Sequence, residues 1–318
     1  MHVLFVADPL ASFKISKDTT FAMMRELQKR GHRVSACEVG DIAWARGALV
    51  TAAAREIRLT GDPAAWFAPA QGDGEPVRSA LKDYTAVIMR KDPPFDSEYF
   101  YATHMLEQAE REGARVFNKP RALRDHPEKL AIMEFAQFCG PTLVTRSAAD
   151  IRSFHAEHRD IILKPLDGMG GAGIFRVRED GLNLGSITET LNRDGAQSVM
   201  VQKFLPAIAQ GDKRVLLIGG VPVPYSLARI PQGGEVRGNL AVGGKGVAQT
   251  LSARDRDIGE ALGPVLAARG LLLVGVDVIG DSVTEINVTS PTCFQEISDQ
   301  TGFDVPAMFV NALETAVC

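Results

Sequence analysis

Residues 283–292 read VTEINVTSPT and form the most informative stretch of this chain of 318 residues. Side chains alternate between the two faces of a strand, so Glu285 and Asn287 leave the same face. The stretch before it, residues 271–280 (LLLVGVDVIG), predicts an apolar strand with a single acid, Asp277. A buried charge without a partner is costly, and Mg²⁺ is a natural partner for such oxygens because it completes its shell with water and nucleotide phosphate. We therefore expect the three side chains to bind a metal ion; a hydrogen bond to a neighbouring strand is the alternative.

A glycine-rich stretch at residues 168–173 (GMGGAG) formally matches the GxGxxG motif of dinucleotide-binding proteins. That motif needs a strand before it and a helix after it, whereas residues 174–178 alternate like a strand. The pattern favours a hairpin whose backbone covers phosphate, and an NAD-dependent oxidoreductase would require a helix after Gly173. Lys164 ends the apolar stretch just before this loop, where it can reach nucleotide phosphates. A surface lysine with a buried stem is the alternative.

Two neighbouring segments fit the other parts of a nucleotide. Residues 199–206 (VMVQKFLP) predict a strand that ends at a proline, and such an edge between lobes can hold an adenine through backbone groups and aliphatic side chains. Asp212 and Arg214 then stand at the head of the next strand. Asp212 can accept a ribose hydroxyl and Arg214 can stabilise a phosphoryl group in transfer. A solvated turn is an equal alternative for this pair.

The segment around residues 233–246 contains many glycines and few apolar residues, so it cannot hold a packed conformation alone. Arg237 and Lys245 supply charge that a phosphate can recruit. We interpret the segment as a lid that orders over bound ligand, with a flexible surface loop as the alternative.

Composition limits the class of protein. With 45% hydrophobic residues, 23% charged residues and a net charge of −4, the chain is typical of a soluble globular protein of about two or three domains. The charge argues against a nucleic-acid or membrane-surface partner, and no stretch approaches the roughly 20 apolar residues of a membrane span. The start of the chain lacks the features of a signal peptide, and the four cysteines are scattered without metal-binding spacing. A cytoplasmic protein with reduced thiols is the simplest interpretation.

The order of predicted elements indicates a mixed α/β protein. The N-terminal third alternates strand, helix and strand, which predicts a small doubly wound parallel α/β domain. Residues 61–76 have no periodicity and predict a surface excursion. From residue 161 onward, strands with glycine-rich turns dominate until a helix near residues 255–269.

Several motifs together resemble one family. Residues 89–96 (MRKDPPFD), 164–173 (KPLDGMGGAG), 229–235 (RIPQGGE) and 285–292 (EINVTSPT) closely resemble the bacterial glutathione synthetases of the ATP-grasp superfamily. The matches fall throughout the chain. The resemblance implies an ATP-grasp fold, in which two α+β lobes sandwich ATP, preceded by the small α/β domain. The corresponding boundaries are residues 1–120, 121–203 and 204–318.

In this family ATP phosphorylates the cysteinyl carboxylate of γ-glutamylcysteine, and the amine of glycine attacks the acyl phosphate to give glutathione, ADP and phosphate. The resemblance thus implies an ATP-dependent carboxylate–amine ligase with Mg²⁺ or Mn²⁺ as its metal, small-molecule substrates, and a homo-oligomeric assembly. A ligase for another carboxylate and amine is the alternative.

The resemblance also implies a role for particular residues. Nucleotide-binding residues would be Lys129, Lys164, Gly170, Gly171, Gln202, Lys203, Leu205 and Asp212. Metal ligands would be Asp277, Glu285 and Asn287. Arg214 and Arg229 would support the transferring phosphate and the acyl oxygens. Substrate-binding residues would be Lys17, Arg90, Ser290, Pro291 and Thr292, with Lys17 and Arg90 neutralising carboxylates of γ-glutamylcysteine.

Overall fold

The computed structural model describes residues 1–72, 74–235, 237–240 and 243–318. Three β-sheets organise these residues, one for each of the three parts that the sequence predicts. The exact domain boundaries stay a prediction. In the described ranges, no helix combines the length and the apolar character that crossing a bilayer requires.

The first sheet belongs to the N-terminal part. Its strands are β1 (His2–Val6), β2 (Arg33–Cys37), β3 (Ile42–Ala43), β4 (Thr51–Leu59), β5 (Phe67–Pro69), β6 (Val77–Ala80), β7 (Ala86–Met89) and β8 (Val116–Phe117). The helices of this part are α1 (Thr19–Lys29), α2 (Ser97–Arg111) and α3 (Pro120–Asp125). The strand order is β3-β4-β2-β1-β7-β8, and the four strands from β2 to β8 run parallel. The predicted parallel α/β domain is confirmed, with antiparallel strands added at one edge.

Strand β1 shows why helices cover both faces of this sheet. Leu4 and Val6 pack into the core that includes α2, whereas Val3 and Phe5 pack into the core that includes α1. Successive side chains thus enter the two cores in alternation, as a strand buried on both faces requires. The Asp18 carboxylate accepts a hydrogen bond of 2.7 Å from the amide of Phe21 and so caps α1.

The prediction of a surface excursion over residues 61–76 agrees with the exposed residues 61–65 but is wrong for residues 66–68. Strand β5 pairs antiparallel with β4, and Trp66 is buried against Phe13 and Phe21. Aromatic burial thus anchors a segment whose glycines and prolines predict only turns. Asp73, in the second half, lies outside the described residues.

The second sheet is a small antiparallel one. It consists of β9 (Thr142–Thr145), β10 (Ile161–Pro165), β11 (Phe175–Val177) and β12 (Val199–Lys203), accompanied by α4 (Ala148–His158) and α5 (Leu184–Asn192). The order is β11-β10-β12-β9. Because the strand β11, and not a helix, follows Gly173, the oxidoreductase alternative is wrong.

The third sheet carries the larger C-terminal part. Its strands are β13 (Asp212–Ile218), β14 (Val221–Ile230), β15 (Lys245–Thr250), β16 (Leu273–Ile279) and β17 (Ser282–Asn287), and its helices are α6 (Ala253–Ala268), α7 (Phe294–Thr301) and α8 (Val305–Val317). The strands pair antiparallel in the order β15-β14-β13-β16-β17. A 3₁₀ helix at Leu130–Phe138 leads from the first part to the second and packs on β17.

Candidate active site

A cleft of about 290 Å³ lies between the second and third sheets and reaches the first part of the chain. Among the residues that the sequence assigns to a site, only Lys17 and Arg90 do not line it. The others all do: Lys129, Lys164, Gly170, Gly171, Gln202, Lys203, Leu205, Asp212, Arg214, Arg229, Asp277, Glu285, Asn287, Ser290, Pro291 and Thr292. The fold thus brings residues that are far apart in sequence to one place.

One end of the cleft combines two buried lysines with the glycine-rich loop. Lys129 Nζ donates to the carbonyl of Gly168 and, at 3.1 Å, to Glu285 Oε1. Lys164 Nζ donates to the carbonyl of Thr284 at 3.2 Å, and burial lowers the pKa of Lys164. Two ammonium groups beside a glycine-rich backbone form a site with the charge and the donors that phosphate needs.

The glycine-rich loop also contacts the proposed lid. Gly171 has φ = +85°, and a Cβ atom there would lie 2.7 Å from Asn239 Oδ1, so the position requires glycine. Arg237 Nη1 donates to the carbonyl of Gly171 at 3.1 Å while its other nitrogens pair with Glu235. The described part of the lid segment therefore reaches the end of the cleft that contains the glycine-rich loop, Lys129 and Lys164, which we call the phosphate end. Val236, Ala241 and Val242, on which the lid hypothesis also rests, lie outside the described residues.

The edge at which the sequence predicts adenine binding lies at the end of strand β12 and lines the cleft. Gln202 is nearly buried, and its Nε2 donates to Thr142 Oγ1 at 3.2 Å. Because that side chain already has a partner, an adenine at this edge would depend mainly on backbone groups and on the apolar walls of the cleft. Ile162, Leu205 and Ile279 form part of those walls.

A network of buried charges occupies the centre of the cleft. The antiparallel registers place Asp212 opposite Arg229 and Arg214 opposite Asp277. Arg214 Nε lies 2.6 Å from Asp277 Oδ1, and Arg229 Nη2 lies 3.0 Å from Asp277 Oδ2 and 2.5 Å from Asp212 Oδ2. Burial alone would raise the pKa of Asp277, but the two guanidinium groups hold it well below its usual range. Such fixed cations suit the stabilisation of negative charge that develops during acyl or phosphoryl transfer.

The oxygens available for a metal ion lie on the strands next to this network. Glu285 stands opposite Asp277 across β16 and β17, and Asn287 Nδ2 donates to the carbonyl of Gly275 at 3.1 Å. Asp212 Oδ1 is buried without a hydrogen-bond partner in the described part of the chain. The described residues contain no cluster of three or more His, Cys, Asp or Glu side chains arranged for a metal. Two carboxylates and one amide oxygen are the donor types that a hard cation takes beside phosphate and water. In this structure both oxygens of Asp277 contact Arg214 or Arg229, and Glu285 Oε1 contacts Lys129.

Lys17 and Arg90 lie outside the cleft lining. Lys17 is exposed, whereas Arg90 is buried, with Nε donating to Thr20 Oγ1 at 3.0 Å and Nη2 donating to the carbonyl of Pro291 at 3.1 Å. Arg90 therefore supports the Pro291 segment from behind. A direct contact of either residue with substrate stays a prediction.

Two acids that the sequence analysis does not single out line the cleft. Glu128 Oε1 accepts hydrogen bonds from the amide of Val288 (3.0 Å) and from the amide and hydroxyl of Thr289 (3.1 and 2.7 Å). Asp92 Oδ1 accepts a hydrogen bond of 2.5 Å from Ser290 Oγ. Asp92 lies within the motif at residues 89–96 and Glu128 directly precedes Lys129, but neither has a chemical signature of its own, so the fold is needed to place it in the cleft.

Comparison with solved structures identifies the fold. The fold matches that of a D-cycloserine synthetase, DcsG, with a TM-score of 0.69 over 99% of this chain and 100% of that one, at 16% identity. It also matches the ATP-grasp ligase PsnB with a TM-score of 0.63, covering 99% of each chain at 19% identity. At these identities the likeness shows the fold alone, which is the ATP-grasp fold.

Sequence comparison then gives the family. The model of the prokaryotic glutathione synthetase N-terminal domain matches residues 1–124, and that of the prokaryotic glutathione synthetase ATP-grasp domain matches residues 128–302. Glutathione synthetase of Ralstonia nicotianae is 59% identical over 99% of this chain and 96% of its own length. Glutathione synthetase of Neisseria meningitidis serogroup B is 56% identical over 98% of each chain. The chain belongs to the prokaryotic glutathione synthetase family and is therefore an ATP-dependent carboxylate–amine ligase.

Proposed function

We propose that the enzyme joins γ-glutamylcysteine to glycine through an acyl phosphate and releases glutathione, ADP and phosphate. The observation that carries this proposal is that Arg214 and Arg229 line the same cleft as Lys129 and Lys164, the lysines that we expect to hold phosphate. Phosphorylation of a carboxylate brings two anions together, and fixed cations lower the cost of that approach.

Particular residues would divide this work. Lys129 and Lys164, with the backbone of Gly170 and Gly171, would hold the nucleotide phosphates. Arg214 would neutralise the phosphoryl group in transfer, and Arg229 would hold the acyl oxygens in the orientation that glycine attacks.

Asp277, Glu285 and Asn287 are the residues that would hold Mg²⁺ or Mn²⁺. The metal would neutralise phosphate charge and fix the orientation of the phosphates. The donor set supports this assignment because all three ligands are oxygens. Asp212 would accept a hydrogen bond from the ribose through the oxygen that has no partner in the described part of the chain.

Exclusion of water would be the role of the two glycine-rich segments. An acyl phosphate hydrolyses readily, so a ligase must shield it until the amine attacks. The hydrogen bond from Arg237 to the carbonyl of Gly171 supports such a closure, since it joins the two segments above the phosphate end. We place the reaction in the cytoplasm and, from the family resemblance, in a homo-oligomer.

The deciding experiment measures ADP release from ATP-Mg²⁺ and γ-glutamylcysteine with and without glycine, while mass spectrometry follows the peptide. Glycine-dependent ADP release with an equal amount of glutathione is the expected result. Turnover only with another carboxylate and amine would refute the choice of substrates and leave the class of reaction intact.

A further inference from the structure

The N-terminal part of the chain contributes very little to the cleft surface. Of its described residues, only Asp92 and Pro93 line the cleft. Both follow strand β7, and Asp92 contacts Ser290, which lines the cleft together with Pro291 and Thr292. If this part of the chain recognises substrate directly, Asp92 is the charged group with which it does so.

The topology of the first sheet supports a binding role for this position. Strand β1 leads through α1 to β2 on one side, whereas β7 leads through α2 to β8 on the other, so the winding direction reverses between β1 and β7. Ligands of open parallel sheets bind outside the carboxyl ends of the strands at this reversal. Asp8 follows β1 and Asp92 follows β7 at that edge.

The backbone of Asp92 is held in place by its neighbours. Its amide donates to Asp8 Oδ2 at 2.8 Å, and Asp8 is itself paired with Lys91 at 2.7 Å. One carboxylate oxygen of Asp92 accepts from the Ser290 hydroxyl. Asp92 is exposed, and its other oxygen receives no hydrogen bond from any residue that the structure describes, so it can accept one from water or from a ligand that displaces the water.

Asp92 differs in this respect from the other acids of the cleft. Asp212 and Asp277 are paired with arginines, and Glu285 is paired with Lys129. Glu128 accepts from two backbone amides and a hydroxyl. Within the described ranges, Asp92 is thus the one cleft acid that lacks both a cationic partner and a backbone donor to its carboxylate.

Two buried donors without acceptors lie near Asp92. Arg90 Nη1 and the Tyr99 hydroxyl have no partner among the described residues, and their side chains are 5% and 2% exposed. Burial lowers the pKa of Arg90 and raises that of Tyr99, and both also experience the negative charge of Asp92. Unsatisfied buried donors are rare in proteins, so these two groups require an acceptor, such as ordered water or an anionic group of a ligand that Asp92 also contacts.

The substrate of the proposed function carries a cationic group that can pair with the Asp92 carboxylate. The reacting carboxylate of γ-glutamylcysteine belongs to its cysteine, and the far end carries an α-ammonium and an α-carboxylate. We propose that Asp92 binds the α-ammonium of the γ-glutamyl group and selects substrates that carry it. This proposal rests on the proposed function. An ammonium offers three donors, and an ionised carboxylate accepts them without a further proton transfer.

The test compares γ-glutamylcysteine with glutarylcysteine, which differs only in lacking the α-ammonium. The unmodified enzyme should prefer γ-glutamylcysteine in kcat/KM by roughly 10- to 100-fold, the range expected for a hydrogen bond between charged groups. In Asp92→Asn this preference should fall to about threefold or less, because only the natural substrate loses a contact, while the KM for ATP stays unchanged. Asp92→Glu, which keeps the charge, should retain part of the preference.

Asp83→Asn is a matched control because it removes the same charge from an exposed position of the same part of the chain. It should leave the preference as it is in the unmodified enzyme. If Asp92→Asn keeps the full preference, or if the unmodified enzyme shows none, the assignment of Asp92 is wrong. If the unmodified enzyme does not turn over γ-glutamylcysteine with glycine at all, the proposed function fails as well.

Discussion

Replacing Glu128 by alanine should destabilise the protein and disturb the substrate end of the cleft at the same time. The carboxylate oxygen Oε1 accepts from the amides of Val288 and Thr289 and from the Thr289 hydroxyl, and the Glu128 carbonyl accepts from the amide of Ile286 at 3.0 Å. Glu128 thereby joins the end of β17 to the segment that carries Lys129.

The expected loss of stability follows from these contacts. A hydrogen bond to a charged group contributes about 1.5–3 kcal/mol, but water from the cleft can replace part of three such bonds. We therefore expect Glu128→Ala to lower the free energy of unfolding by about 2–4 kcal/mol, near the upper end of ordinary point mutations. Glu128→Gln keeps a carbonyl oxygen at the same place and should cost only about 1 kcal/mol.

Activity should change in the same order. Asn287 and Ser290 flank the two residues that Glu128 holds, so freeing that segment should raise the KM for γ-glutamylcysteine more than the KM for ATP. Urea unfolding followed by circular dichroism, together with steady-state kinetics, measures both effects. Glu157→Ala, at a side chain that is 75% exposed, is the control. An alanine variant within about 0.5 kcal/mol of the unmodified protein would refute the reasoning.

The pH dependence of stability offers a separate check. Burial and the nearby charge of Glu285 raise the pKa of Glu128 in the folded protein. The folded state therefore binds more protons than the unfolded state between the ordinary glutamate pKa and the raised one, and the free energy of unfolding falls as pH rises through that window. Glu128→Gln cannot titrate, so its stability should lack this component.

Two further substitutions test the metal site and the strand that supports it. Asn287→Asp should still bind metal but should lower kcat by roughly 10- to 100-fold, because the added negative charge alters the charge balance between metal and phosphate. If the variant and the unmodified enzyme show the same kinetics across a magnesium titration, Asn287 is not a metal ligand. Gly211→Ala should lower the free energy of unfolding by about 1–3 kcal/mol in urea titrations, since φ is +114° and the new Cβ would lie 2.9 Å from the Cβ of Ala228. A stability equal to that of the unmodified protein would show that the backbone adapts there.

Much of the fold follows from local patterns in the sequence. Helix α1 has an N-cap aspartate and ends before Gly31, and strands such as β7 and β12 are short apolar runs. Strand β4 escapes prediction because its sequence, TAAAREIRL, contains three alanines and two arginines, which have little intrinsic preference for strands. Its pairing with four other strands stabilises it instead.

The composition of the site is easier to predict than its connections. Asp277 and Glu285 stand out as acids in apolar strands, but the sequence does not reveal that Arg214 and Arg229 both contact Asp277. Those contacts depend on the register of three antiparallel strands, and a shift by one residue would turn the side chains to the other face. Arg90 is the opposite case. Its motif predicts a substrate contact, but the structure buries Arg90 behind the cleft wall, where it does not line the cleft.

A β-bulge explains how one strand serves both the core and the cleft. In a regular strand Val283 would share a face with Glu285, but the register between β16 and β17 shifts after Asp277, so that Asp277 faces Glu285 and Val278 faces Val283. Val283 is fully buried in the core at the wall of the cleft, while Glu285 two residues later lines the cleft with a side chain that contacts Lys129. The extra residue, Thr284, has a carbonyl that accepts from Lys164 Nζ. Bulges of this kind redirect side chains near active sites, and here the same irregularity orients a candidate metal ligand and a candidate phosphate lysine together.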